Sequence, residues 1–158
     1  GTWPGECVTE PYCVDLYGGT GFFSCLSGKL FQQGILVEGN KGQAELAEEN
    51  FIANNLDHFK AVAASVESIT RGLFPFPMEK TVVIVDPPRT GLSKKLIYTL
   101  LKLQPGRIIY VSCNPSTQAR DICLLVSTGT YKLTRIALFD MYPHTYHIES
   151  GIILEKSE

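Results

Sequence analysis

No Cys-x-x-Cys pair, no histidine cluster at metal-ligand spacing and no run of about eighteen uninterrupted apolar residues occurs in this 158-residue sequence. The first two absences, with an odd set of five cysteines (Cys7, Cys13, Cys25, Cys113 and Cys123), argue against a zinc site or a disulfide framework, and no metal ligands are expected. The third leaves no candidate membrane span. No charged-then-apolar leader opens the sequence, so a reducing, cytoplasmic setting is the default expectation, with an organellar one open if a targeting segment is missing. Positive charge is scarce as well: 14 Lys and Arg stand against 16 Asp and Glu, a formal charge of −2. That balance gives no general attraction to nucleic acid, so any polyanion would be held by a local patch or by a part of the protein outside this chain. Internal repeats, low-complexity tracts and linkers are lacking too. With 44% hydrophobic and 19% charged residues, one globular domain with its own core is expected.

What is present is an alternation of strands and helices. Residues 1–11, with two prolines and two glycines, read as an irregular lead-in. Tyr12 to Tyr17, Gly34 to Glu38, Phe59 to Ala63, Lys80 to Val85, Arg107 to Ser112, Tyr131 to Phe139 and Gly151 to Glu155 carry the apolar, β-rich pattern of strands. Phe22 to Leu30, Asn40 to Asn55, Ser65 to Leu73, Ser93 to Leu103 and Thr117 to Val126 are helix-compatible, with Ser93 as an N-cap. This order predicts a doubly wound, mostly parallel seven-stranded sheet. Its last two strands, joined by a loop alone, would form an antiparallel C-terminal edge hairpin.

Four loops should then meet at one rim. Gly18-Gly19-Thr20-Gly21 follows a strand and precedes a helix, an arrangement that lets backbone approach a ligand closely. Glu38 ends the second strand, where it would accept from ribose hydroxyls or serve as a favourable charge at the next helix N-terminus. Asp86-Pro87-Pro88-Arg89 is a stiff turn that aims Asp86 and Arg89 over the same edge, or else closes its own loop through an ion pair. The strand Arg107 to Ser112 stops on Cys113-Asn114-Pro115, delivering a cysteine to the carboxyl end of the sheet, where ligands bind in open α/β folds. Cys113 is therefore a nucleophile candidate, the plain alternative being a buried core thiol. Residues 140–149 (Asp-Met-Tyr-Pro-His-Thr-Tyr-His-Ile-Glu) form a polar, aromatic loop of the kind that carries binding or catalysis.

The stretches 15–23 (DLYGGTGFF), 86–92 (DPPRTGL), 110–115 (YVSCNP) and 139–149 (FDMYPHTYHIE), in this order, resemble the RNA 5-methyluridine (uracil-C5) methyltransferases, enzymes that use S-adenosylmethionine on tRNA or rRNA. The likeness covers nearly the whole chain. It implies the Rossmann-like class I methyltransferase fold, with residues 12–158 as the family's C-terminal catalytic domain, and it implies that the N-terminal RNA-binding and central domains of full-length relatives are missing here. By the same likeness Cys113 is the nucleophile and Glu149 the base. Tyr17, Gly19, Gly21, Glu38 and Asp86 would bind the cofactor, and Arg89, Asn114 and His147 the substrate, with a structural role open for His147. Gly18 stands where the family usually carries cysteine, an exchange that a tight turn should accept.

The chemistry explains these residue types. Carbon 5 of uracil is a poor nucleophile, and a cysteine thiolate adding to carbon 6 makes it a good one; a base must later remove the carbon 5 proton. The thiol must ionise against a free pKa of about 8.5, helped by Arg89 or by the following helix N-terminus. A base in structured RNA must also leave its stack, and Tyr142, Tyr146 or His147 would receive it. Two other readings stay open: an RNA cytosine-5 methyltransferase, disfavoured because serine precedes Cys113, and a non-catalytic domain that keeps the fold to bind RNA or protein.

Overall fold

A computed structural model describes residues 10–139 and 148–157. Seven strands form one sheet in the order β3-β2-β1-β4-β5-β7-β6. The strands β1 (Tyr12–Leu16), β2 (Gln33–Glu38), β3 (Phe59–Ala63), β4 (Thr81–Val85) and β5 (Arg107–Ser112) are parallel. The last two, β6 (Tyr131–Phe139) and β7 (Glu149–Lys156), make the expected antiparallel hairpin. Its second strand turns inward: β7 pairs with β5, which leaves β6 as the edge.

The sheet is covered on both faces, as its near-continuous Val, Ile and Leu runs demand. On one side α3 (Lys94–Leu103) and α4 (Pro115–Ser127) set Leu96, Ile97, Leu100, Ile122 and Leu125 against Val14, Leu16, Val83, Val85, Ile108 and Tyr110. On the other, α2 (Lys41–Ala53) packs Ala47 and Phe51 against Cys13, Leu36, Val82 and Ile84, with α1 (Phe22–Ser27) alongside. The helix starts follow local chemistry. Asn40, Ser93 and Asn114 each accept a backbone N–H of the first turn, and Pro115 fills the first position of α4, where no N–H is needed.

Two expected helices differ. The helix expected over Phe22 to Leu30 ends as an α-helix at Ser27 and continues as a 3₁₀ turn over Gly28–Leu30. Ser65 to Leu73 is no helix but two separate 3₁₀ turns, Val66–Ser68 and Arg71–Leu73, with Ile69 and Thr70 extended between them. The chain there buries only Val66 and Ile69, too few apolar side chains at helical spacing to hold a continuous helix on the sheet. Among the described residues, no helix is long and apolar enough to cross a membrane.

Candidate active site

The carboxyl ends of β1, β4 and β5 and the start of β7 open into a cleft of about 1380 Å³. Tyr17, Gly19, Asp86, Cys113 and Glu149, named above from sequence alone, all line it. The cleft continues down the sheet face over Ile84, Ile109, Val111 and Ile153, with Phe22, Leu26 and Leu30 as an apolar wall.

The register accounts for the meeting of Cys113 and Glu149. In the antiparallel pair β5–β7, Ser112 stands opposite Ser150, and the next positions outward are Cys113 and Glu149. Both therefore leave the end of the same ladder, and both line the cleft. This junction is fixed from behind by α4. The buried Gln118 donates to the carbonyls of Tyr110 (2.9 Å) and Ser150 (3.3 Å), while Ser150 Oγ donates to Gln118 Oε1 (2.6 Å). Cys113 is a free, half-buried thiol, not a core side chain.

The glycine turn is shaped by both ligand-facing and packing demands. Gly19 has φ +54° and nothing within 4 Å of where a Cβ would stand, so its backbone is bare toward the cleft. Gly21, at φ +87°, has a packing reason for its identity: a Cβ there would come within 3.0 Å of Phe51. Glu38 bridges two backbone groups at the end of β2. Its Oε2 accepts from Gly19 N–H (3.0 Å) and its Oε1 from Asn40 N–H (2.8 Å), joining the glycine turn to the cap of α2.

Two carboxylates, Asp86 and Glu149, line the cleft at the carboxyl end of the sheet. Asp86 opens to the cleft, yet desolvation, aided by the charge of Glu149, moves its carboxyl up to about 6. Asp15, inside β1 and fully buried, rises likewise to about 6, chiefly through burial and less through Asp86 and Glu38, against the opposing bond from Ser24 Oγ (2.7 Å). Its Oδ1 has no hydrogen-bond partner.

Arg89 and Asn114 stand away from the cleft lining. The Asn114 side chain is committed twice: Oδ1 caps α4, and Nδ2 donates to the Arg89 carbonyl (3.1 Å). Among the described residues, no ion pair joins Asp86 to Arg89. His147, with Tyr142 and Tyr146, lies outside the described residues.

Two acids escaped the sequence reading. Glu67 accepts from Tyr17 Oη (2.8 Å), a bond that holds its carboxyl below the usual range and anchors Tyr17, itself left-handed at φ +59°. Asp121 is fully buried and accepts from Leu92 N–H and Tyr110 Oη, both at 2.7 Å. The available signal was positional, since an acid on the apolar stripe of a helix, as at Gln118-x-x-Asp121-Ile122, needs buried partners.

The family model described as tRNA (Uracil-5-)-methyltransferase matches residues 6–157 of the chain. A tRNA (uracil(54)-C(5))-methyltransferase of Schizosaccharomyces pombe is 37% identical over 148 residues, 92% of this chain and 28% of that protein. A 23S rRNA (uracil(1939)-C(5))-methyltransferase of Legionella pneumophila is 37% identical over 153 residues, 96% of this chain and 34% of that protein. The crystal structure of Pyrococcus abyssi tRNA (uracil-54, C5)-methyltransferase in complex with S-adenosyl-L-homocysteine superposes with a TM-score of 0.77 at 36% identity, over 90% of this chain and 33% of that one. The chain thus spans about a third of the length of these relatives.

Proposed function

Because the chain belongs to the tRNA (uracil-5-)-methyltransferase family, we propose that its residues 12–158 form the catalytic domain of an S-adenosylmethionine-dependent enzyme that methylates carbon 5 of a uridine in tRNA or rRNA through a covalent cysteine adduct. The observation that carries this reading is that Cys113 and Glu149, which follow the last pair of the β5–β7 ladder, line the same cleft as Asp86 and the bare backbone of Gly19.

The residues present fit the cofactor. A sulfonium is a cation, and Asp86 and Glu149 on the cleft, with Glu38 and the buried Asp15 behind them, give this end of it a negative field. Gly19, Gly21 and Tyr17 would hold the methionine part, Glu38 the ribose hydroxyls, and Asp86 would face the sulfonium. When bound, S-adenosylmethionine supplies the electrophilic methyl group that carbon 5 takes up.

The chain's own groups do the rest. The Cys113 thiolate adds to carbon 6 of uracil, breaking the 5,6 double bond and placing the electron pair on carbon 5 and its conjugated carbonyl. Once carbon 5 carries the methyl group, Glu149 takes the remaining proton, the double bond re-forms and the carbon–sulfur bond breaks, releasing the thiolate. Arg89 and His147 would meet the RNA, with Asn114 acting through the position of Arg89. Docking of the polyanion falls to the rest of the full-length protein, consistent with the net charge of −2 on this chain.

Release of tritium from RNA labelled at uracil carbon 5 measures the reaction whichever uridine is modified. Cys113→Ala is expected to abolish release while binding S-adenosylmethionine with unchanged affinity. Glu149→Gln is expected to slow release at least 100-fold and to accumulate methylated protein–RNA adduct. Full release by Cys113→Ala, or none by the unaltered full-length protein on both tRNA and rRNA, would contradict the reading, the second result favouring a binding scaffold.

A further inference from the structure

The loop 86–92 is fastened at its two ends by different parts of the fold. At its start, Asp86 N–H donates to the Leu16 carbonyl (3.4 Å), so the sheet holds that end. Its far end is held by α4. Asn114 Nδ2 donates to the Arg89 carbonyl (3.1 Å), Thr117 Oγ1 shares its one proton between that carbonyl and the Asn114 carbonyl (3.1 Å each), Arg120 Nη2 donates to the Thr90 carbonyl (3.0 Å), and Asp121 Oδ2 accepts from Leu92 N–H (2.7 Å).

These residues recur at three- and four-residue intervals, so they form one face of α4. The helix begins immediately after Cys113, with Asn114 as its cap. The loop that carries Asp86 and the turn that carries Cys113 are therefore bolted to the same rigid element. The fit is close: Gly91, at φ +77°, would place a Cβ 2.5 Å from Asp121 Oδ2. Asp121 is in turn held by Tyr110 Oη on β5 and by Arg120, whose Nε and Nη2 lie 2.9 and 2.7 Å from its Oδ1. A fully buried carboxylate bridging a strand, a helix and a loop costs desolvation, and what it returns is a fixed geometry among the three.

We propose that Asp121, with Thr117 and Arg120, forms a positioning clamp that sets where Arg89 and the far end of its loop stand relative to the Cys113 thiol. The inference rests on the function proposed above. None of the three touches the reacting atoms; they act through the loop backbone. Because the sheet holds Asp86 independently, loosening the clamp should spare cofactor affinity and reduce the chemical step.

Thr117→Val removes one donor while keeping the side-chain shape, and Thr117→Ser restores the hydroxyl. In the full-length protein, Thr117→Val is expected to lower kcat for tritium release about tenfold, with S-adenosylhomocysteine affinity and the KM for RNA within about twofold, and Thr117→Ser is expected to recover most of the loss. Asp121→Asn, checked for native circular dichroism, should show the same split with a larger fall in kcat. Unchanged kcat in Thr117→Val, or a valine defect that serine leaves uncorrected, would overturn the clamp. Absence of release from the unaltered protein would instead overturn the function on which it rests.

Discussion

Asp15 and Asp86 show how much a single side chain owes to its surroundings. Both carboxyls, ordinarily near 3.8, rise to about 6, Asp15 because β1 buries it and Asp86 because the cleft partly desolvates it beside Glu149. For a carboxyl whose folded pKa exceeds its unfolded one, ionisation is penalised in the fold: the penalty is absent below about pH 4, grows from there to about 6 and is full above. For the fully buried Asp15 that difference corresponds to at most about 3 kcal/mol. Asp15→Asn should therefore gain stability over the unaltered protein as pH rises from 4 to 7, as read by urea unfolding at each pH; parallel profiles for the two proteins would refute it. The same titrations bear on binding. A cationic ligand favours the ionised forms, so affinity for S-adenosylmethionine should rise about tenfold between pH 5 and 7, while S-adenosylhomocysteine, whose sulfur is neutral, should change much less. Calorimetry with the two ligands across that range distinguishes them.

Among elements, the turn between β1 and α1 forms as its sequence reads but departs from that reading at Gly18. Cysteine at Gly18 looked like an exchange a tight turn accepts, but a Cβ there would lie 2.4 Å from Cγ of Leu36, a buried side chain of β2. The constraint comes from the neighbouring strand, which the local sequence does not reveal. Gly18→Cys should cost about 1–3 kcal/mol, and it should cost less in a Leu36→Ala background, which removes the Cγ in the way. Thermal unfolding of the single and double variants measures this. Elsewhere the elements were legible where local chemistry decides them: Ser93 announces the start of α3, and the apolar runs mark β3 and β6 to the residue, whereas α4 starts at Pro115, two residues before the expected Thr117, because Asn114 caps it. The segment Ser65 to Leu73 misled because its composition tolerates a helix while the tertiary surface beneath offers it too little to bury.

At the scale of the whole molecule, strands alternating with helices were enough to bring the carboxyl ends of β1, β4 and β5 to one rim, so Gly19, Asp86 and Cys113 share a cleft as topology requires. Sequence could not place β7 between β5 and β6, because hairpin adjacency alone does not say which of the two strands pairs inward. That insertion is what brings Glu149 to the end of β5, on the cleft that Cys113 lines. Nor could it reveal the buried links through Gln118 and Asp121, which depend on side chains far apart in the chain meeting behind the cleft. The rim so assembled brings together the proposed nucleophile, the proposed base and the carboxylate proposed to face the sulfonium. Its central claim is the covalent bond between Cys113 and carbon 6 of uracil. The most direct test incubates the full-length protein with S-adenosylmethionine and RNA transcripts in which uridine is replaced by 5-fluorouridine, followed by mass spectrometry of the protease digest. With fluorine on carbon 5, Glu149 finds no proton to remove, so a methylated nucleotide should remain attached to Cys113. A stable adduct on that residue is the predicted result. No adduct on either tRNA or rRNA transcripts, or an adduct on another residue that persists in Cys113→Ala, would contradict the account.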